Sequence, residues 1–149
     1  MKAPSPEQLG GEGVLYCDGA SSGNPGKSGI GAVLLLEGKT YEISEHIGTA
    51  TNNIAEYTAL IKGLSRAKAL KTESLKIFID SELIVKQIQG SYKVKSENLK
   101  ALYQEALSHL EYFKAYTISH IPREQNKKAD ALAKKAAQLT HNKMLPKAR

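Results

Sequence analysis

Apolar positions along the chain fall into short runs typical of strands and longer stretches with helical spacing. The short runs predict strands over residues 14–18, 30–36, 40–47, 75–79 and 115–121. The longer stretches predict helices over residues 51–67, 81–89, 98–113 and 126–139. Three strands come first and helices then alternate with strands. We therefore expect an α/β fold with a five-stranded mixed sheet and helices on its faces.

The length of 149 residues is enough for one domain with one hydrophobic core. We expect residues 14–139 to form that domain. Residues 1–13 contain two prolines and three glycines and are expected to be a flexible lead-in. Residues 140–149 are expected to be a flexible basic tail. The sequence has neither an apolar run of membrane-spanning length nor the apolar region of a signal peptide.

The charge balance favours a polyanionic partner, because the formal net charge is +6. Lysines at positions 86, 93, 95 and 100 lie in one region of the chain. The single cysteine, Cys17, lies within an apolar run and has no partner for an internal disulfide. We expect it to be a reduced core residue in a cytoplasmic protein.

Four acids stand at the ends of predicted elements. Asp18 and Asp80 each end an apolar strand, and Glu56 and Asp130 lie near the starts of helices. Each position also has a local structural interpretation. Asp18 can cap a turn, Asn53 and Glu56 have the spacing of a capping box, and Asp80 can cap a helix.

The same four acids could instead converge at one end of the sheet. Clustered carboxylates repel one another and are tolerable only with cations. Oxygen ligands suit Mg²⁺ or Mn²⁺, and no set of Cys and His residues argues for zinc. Two such ions about 4 Å apart can activate a water and stabilise the leaving oxygen of a phosphodiester. An acidic metal site in a basic chain therefore indicates a nuclease.

Four segments carry these acids in the sequence: 18–26 (DGASSGNPG), 51–56 (TNNIAE), 80–81 (DS) and 126–133 (NKKADALA). Together, in this order, they resemble the motifs of ribonuclease H, type 1. The resemblance covers residues 14–139, and the compact pattern is similar to the archaeal-type branch that also occurs in bacteria. It implies the ribonuclease H-like fold, with an antiparallel meander, then parallel strands, and helices on both faces.

The resemblance also implies a reaction. The substrate would be the RNA strand of an RNA–DNA hybrid, cleaved to leave a 5′-phosphate and a 3′-hydroxyl. Two Mg²⁺ ions, with Mn²⁺ as a substitute, would be held by Asp18, Glu56, Asp80 and Asp130. Metal-activated water needs no protein nucleophile. We expect no organic cofactor and no membrane partner, and a monomer.

Substrate contacts are implied for three groups of residues. The backbone of Gly19, Ala20 and Ser21 and the side chains of Asn52 and Asn53 would meet the RNA 2′-hydroxyls. The side chains of Asn24 and Thr51 match positions of a pocket for a DNA-strand phosphate. Lys93 and Lys95 would add phosphate contacts without base readout. The local alternative for the paired asparagines is helix capping.

The chain departs from the family pattern in three places. Many bacterial members carry a flexible histidine in the loop before the last helix, whereas residues 122–125 here form a short loop without one. Arg123 or Glu124 could take an auxiliary role there, and His120 falls on the strand. Glu82 stands where glutamine is common. The long basic handle of some members is absent, because residues 90–96 are brief.

Three other functions are compatible with parts of the pattern. A hybrid-binding module would keep the basic surface and lose a metal ligand, but all four acids are present. An integrase-like or Holliday-junction nuclease would share the metal chemistry without the paired asparagines and the glycine-rich segment. A third alternative is broader specificity, for RNA–DNA junctions or double-stranded RNA.

Overall fold

The computed structural model describes the backbone of residues 11–147 and the side chains of residues 11–138. The strands are β1 (Glu12–Gly23), β2 (Gly26–Leu36), β3 (Lys39–Ala50), β4 (Ser74–Ile79) and β5 (Ala115–His120). The helices are α1 (Asn52–Ala69), α2 (Glu82–Ile88), α3 (Glu97–Leu110) and α4 (Lys127–Lys147). A short 3₁₀ turn, Arg123–Gln125, precedes α4.

The strands form one mixed sheet in the order β3-β2-β1-β4-β5. The first three strands pair antiparallel, as two successive hairpins. The β4 strand pairs parallel with both β1 and β5. The prediction of an antiparallel meander followed by parallel strands is therefore confirmed.

Helices cover both faces of the sheet. On one face α1 packs on β1 and β2, and α3 packs against α1. The main core lies there, around fully buried side chains such as Leu15, Leu64 and Ile77. On the other face α4 packs across β1, β2 and β3. The site described below lies at the end of the sheet where α1 and α4 begin.

Two glycines let these helices approach the sheet at that end. A β-carbon on Gly19 would collide with the backbone of Ala55 in α1. A β-carbon on Gly31, in the paired strand, would collide with the carbonyl oxygen of Ala129 in α4. Gly19 follows Asp18 in β1, and Gly31 is the register partner of Asp18. The small residues thus bring both helix starts close to one carboxylate.

One part of the strand prediction is wrong. The glycine-rich composition of residues 19–26 is typical of a loop, but β1, predicted to end at residue 18, continues to Gly23 and pairs with β2 from Gly13 to Gly23. Only Asn24 and Pro25 form the connection. On the side that faces β2, the backbone of Gly19, Ala20 and Ser21 is therefore paired with that strand. On the opposite side, pairing with β4 ends at Cys17, so these residues have no neighbouring strand there.

The ends of the predicted domain also need adjustment. The β1 strand begins at Glu12, so residues 12 and 13 belong to the sheet. The α4 helix continues to Lys147, beyond the predicted end near residue 139. Residues 1–10 of the lead-in, and residues 148–149, lie outside the described residues, and flexibility at either end stays a prediction. None of the helices described has the length and apolar character that crossing a lipid bilayer requires.

Candidate active site

Three of the four acids meet at the end of the sheet. The last rung between β1 and β4 joins Cys17 to Ile79, so the next residues, Asp18 and Asp80, lie side by side. Glu56 joins them from the start of α1. One carboxylate oxygen from each of these three acids lies within 4.8 Å of the other two. The predicted convergence of Asp18, Glu56 and Asp80 is confirmed, and we call this group the acidic cluster.

The fourth acid reaches the acidic cluster through Asp18. Asp130 lies in the first turn of α4, and its carboxyl group shares a hydrogen bond with that of Asp18. Its Oδ2 atom also lies 3.1 Å from Nζ of Lys134, one helical turn later. Asp130 therefore adjoins the cluster while being paired with a cation.

The local interpretations of these acids do not hold. Thr51 caps α1, because its Oγ1 accepts a hydrogen bond from the N–H of Ile54 at 3.2 Å. Ser81 caps α2 in the same way. Neither the Asn53–Glu56 capping box nor a cap by Asp80 is formed. These carboxylates are therefore free of local backbone roles.

A negative charge on Asp18 is unfavourable, because this carboxyl group is only 2% exposed and lies among other acids. Burial and the hydrogen bond with Asp130 raise the pKa of the Asp18 carboxyl to about 9. The charges of Asp80 and Glu56 add to this shift in pKa. Without a cation, the raised pKa favours a protonated Asp18, whose O–H donates a hydrogen bond to the Asp130 carboxylate.

The pKa values of the other two shifted acids move in opposite directions. Burial and the neighbouring Asp80 charge raise the pKa of Glu56 to about 7, although a hydrogen bond with the Ser81 side chain and the charge of Arg123 oppose the shift. Burial also acts to raise the pKa of Asp130, but the hydrogen bond with Asp18, Lys134 and Arg123 together hold it below its usual value. The guanidinium of Arg123 thus acts on acids of both helices.

The donor set fits a divalent cation. Both carboxylate oxygens of Asp80 are buried and have no hydrogen-bond partner among the described residues. Leaving a buried carboxylate unpaired is costly, whereas a cation bound among the three acids would satisfy it and lower the pKa of Asp18. A site made only of carboxylate oxygens suits Mg²⁺ or Mn²⁺.

Beside the acidic cluster, a cavity of about 440 Å³ is lined by residues for which substrate contacts were predicted. Its lining includes Asn24, Thr51, Asn52 and Asn53. The Oδ1 atom of Asn24 accepts a hydrogen bond from the backbone N–H of Asn52 at 3.0 Å, which ties the β1–β2 turn to α1. The structure therefore brings these four predicted residues together.

The remaining predicted contacts lie on either side of this pocket. Ser21 uses its hydroxyl internally, donating to the carbonyl of Ala50 at 2.7 Å, so only its backbone faces the open edge of β1. Lys93 and Lys95 are exposed and line a neighbouring cavity of about 580 Å³. Ser96 lines both cavities. The two cavities therefore form one continuous surface.

The last connection holds one residue whose part the sequence did not reveal. Asn126 stands at the start of the predicted helix over residues 126–139, but its side chain reaches across the fold and donates to the carbonyl oxygen of Cys17 at 2.8 Å. The sequence signal for this contact was the position of Asn126 in the fourth motif. Helix capping is by itself a sufficient reason for an asparagine at that position. Arg123 and Glu124 lie exposed on the 3₁₀ turn, and Glu82 is exposed at the start of α2.

The sheet order and the carboxylates that follow the last rung between β1 and β4 define the ribonuclease H class of fold. Residues 16–136 match the family described as reverse transcriptase-like. The chain is 34% identical over 138 residues to ribonuclease H of Pelobacter propionicus, covering 82% of each. It belongs to the ribonuclease H family, and the predicted membership is confirmed.

Two further relatives are 40% identical to the chain. One is a bifunctional protein of Mycobacterium tuberculosis, matched over 126 residues, and the other is ribonuclease HI of Halobacterium salinarum, matched over 129. The matches cover 83% and 85% of this chain. The chain spans only 35% of the mycobacterial protein and 65% of the halobacterial one.

Solved structures of similar proteins have the same fold. The N-terminal RNase H domain of the mycobacterial protein aligns with a TM-score of 0.83 at 38% identity, covering 85% of this chain and 99% of that one. LC11-RNase H1, solved in complex with an RNA/DNA hybrid, aligns with a TM-score of 0.79 at 40% identity. That alignment covers 84% of this chain and 96% of LC11-RNase H1.

Proposed function

We propose that this protein hydrolyses the RNA strand of RNA–DNA hybrids, leaving a 5′-phosphate and a 3′-hydroxyl. The observation that carries the proposal is the meeting of Asp18, Glu56 and Asp80, whose oxygens lie within 4.8 Å of one another. Family membership and the hybrid bound by the similar LC11-RNase H1 support the choice of substrate.

Two Mg²⁺ ions, or Mn²⁺ in their place, are the proposed cofactors. Asp18 and Asp80 would hold both ions, Glu56 one of them and Asp130 the other. When bound, such ions supply an activated water and stabilise the charge on the leaving oxygen. The chain's own part is to hold the carboxylates in place and to release the proton of Asp18, whose pKa of about 9 keeps it protonated in the protein alone.

Selection of the hybrid would come from both sides of the acidic cluster. The open edge of β1 at Gly19, Ala20 and Ser21, with Asn52 and Asn53, would contact 2′-hydroxyls of the RNA strand. The pocket lined by Asn24 and Thr51 would take a phosphate of the DNA strand. Lys93 and Lys95 would contact further phosphates, which contribute affinity without sequence preference.

Arg123 is the better supported of the two auxiliary candidates. Its positive charge opposes the raised pKa of Glu56 and helps to hold the pKa of Asp130 below its usual value, so Arg123 acts electrostatically on acids of both helices. We propose that Arg123 helps to release the product, in place of the histidine that many bacterial members carry. Glu124, in the same turn, stays a weaker candidate. Cytoplasmic location, the monomeric state and the lack of an organic cofactor stay predictions.

A cleavage assay tests the proposed function. One labelled RNA strand is presented paired with DNA, paired with RNA, and single, each with Mg²⁺, with Mn²⁺ and with EDTA. We expect metal-dependent cleavage of the hybrid alone, with 5′-phosphate ends. Binding of the hybrid without cleavage would favour a binding module. Cleavage of double-stranded RNA as well would favour the broader specificity.

A further inference from the structure

Asn126 is a buried polar residue that connects two parts of the active site. It is 1% exposed and lies between the 3₁₀ turn and α4. Its side-chain N–H donates to the carbonyl oxygen of Cys17 at 2.8 Å, and its backbone carbonyl oxygen accepts from the backbone N–H of Asp130 at 3.0 Å. One residue thus bonds to the residue before Asp18 and to Asp130 itself.

The bond to Cys17 falls where β1 loses the second of its two neighbouring strands and stays paired with β2 alone. Pairing between β1 and β4 ends at the rung joining Cys17 to Ile79, and Asp18 is the next residue. On the other side, the start of α4 follows a short connection after β5. A side-chain hydrogen bond at this point sets the distance between the α4 start and the β1 strand, and so between Asp130 and Asp18.

The Asn126 side chain has an unfavourable contribution to the free energy of folding as well as a favourable one. The Oδ1 atom of Asn126 is buried and has no hydrogen-bond partner among the described residues. An apolar side chain of similar size would avoid burying that unpaired oxygen. Helix capping does not explain the asparagine either, because its side chain bonds to β1 rather than to the first turn of α4.

We infer that Asn126 is a positioning residue, which sets the separation of the Asp18 and Asp130 carboxylates for metal binding. The inference rests on the proposed metal-dependent function. Asn126 touches neither substrate nor metal in this role; it acts by holding the start of α4 against β1. Loss of its N–H donor should weaken metal binding and turnover more than it weakens the fold.

The test compares Asn126→Leu with Gln89→Leu, a control that removes a side-chain hydrogen bond at an exposed position. Gln89 also donates its side-chain amide to a strand carbonyl, that of Ile118 at 3.0 Å, but away from the acids. Three quantities are measured in the full chain: Mn²⁺ affinity by calorimetry without nucleic acid, thermal unfolding in EDTA, and kcat and KM on a labelled hybrid. Asn126→Ser is included, since serine suits a helix start but is too short to reach Cys17.

For Asn126→Leu we expect Mn²⁺ affinity and kcat to fall by about 10- to 100-fold, as for other residues that orient metal ligands. The KM for the hybrid and the unfolding temperature in EDTA should stay near those of Gln89→Leu. Unchanged Mn²⁺ affinity and kcat would overturn the inference. The inference would also be overturned if the losses of Mn²⁺ affinity and kcat in both Asn126 variants were accounted for by the fraction of protein that is unfolded. If the wild-type chain binds Mn²⁺ but cleaves no hybrid, the proposed function fails, and the Mn²⁺ affinities still decide the role of Asn126.

Discussion

The carboxyl group of Asp18 donates a hydrogen bond to that of Asp130, which joins the centre of the sheet to the first turn of α4. The bond requires that the pair keep one proton, and Asp18 holds it because its pKa is raised to about 9. A divalent cation between these acids would displace that proton. Stability, pH and metal binding are therefore linked at this pair.

Without metal, stability should fall as the pH rises. Between the ordinary aspartate pKa of 3.8 and the folded value of about 9, folded Asp18 keeps a proton that the unfolded chain has lost. Each pH unit in this window lowers the free energy of unfolding by up to about 1.4 kcal/mol for one proton. Glu56, with a folded pKa of about 7, acts in the same direction. Asp130, whose pKa is lowered, is ionised in both the folded and the unfolded chain over this window and adds no slope.

Thermal unfolding in EDTA at pH 5 and pH 8 measures this effect. We expect the lower unfolding temperature at pH 8, a smaller difference in Asp18→Asn, and recovery at pH 8 when Mg²⁺ replaces EDTA. A wild-type protein whose stability in EDTA rises over this range, with the same slope in Asp18→Asn, would contradict the assigned electrostatics.

Gly31 should be intolerant of a side chain, because α4 packs directly on it. We expect Gly31→Ala to lower the free energy of unfolding by about 3 kcal/mol or more, since the new β-carbon meets the backbone oxygen of Ala129. Gly38→Ala is the control: its β-carbon would meet no atom within 4 Å, and only its φ of 77° opposes the change. That strain costs about 1 kcal/mol. Equal losses in chemical denaturation would mean that the close approach of α4 to β2 is wrong.

Lys93 and Lys95 should set part of the salt dependence of hybrid binding. We expect the double change to alanine to weaken binding and to reduce the slope of log K against log salt by about 1 for each phosphate that is no longer neutralised. Lys114→Ala is the control, because Lys114 pairs with Glu73 at the opposite end of the sheet. Fluorescence anisotropy with a labelled hybrid, with Ca²⁺ in place of Mg²⁺, gives both slopes. If the slope of log K against log salt is unchanged in the double variant, Lys93 and Lys95 do not contact the hybrid.

Much of this architecture was predictable from the sequence. Apolar runs before Asp18 and Asp80 predicted two strands, and parallel pairing of β1 with β4 up to Cys17 and Ile79 then places those acids together. The helical spacing after Thr51 predicted α1 and, with it, the position of Glu56. These predictions succeeded because they depend on local patterns and on one topological rule.

The parts that failed depend on contacts between distant segments. Residues 19–23 have the composition of a loop, yet pairing with β2 makes them a strand. Thr51 and Asn53 are both good helix caps, and only the observed hydrogen bond identifies Thr51. The bond from Asn126 to Cys17 joins residues at opposite ends of the chain. No local pattern identifies such a pairing.

The most direct test of the central claim is hybrid cleavage by Asp80→Asn beside Glu82→Gln. Asp80 has two buried carboxylate oxygens without partners among the described residues, whereas Glu82 is exposed at the start of α2. With Mg²⁺ present, we predict that Asp80→Asn loses all detectable cleavage and keeps an unfolding temperature in EDTA at or above that of the wild type. Glu82→Gln should cleave at a rate near that of the wild type. A folded, active Asp80→Asn enzyme would contradict the assignment of the acidic cluster as the metal site.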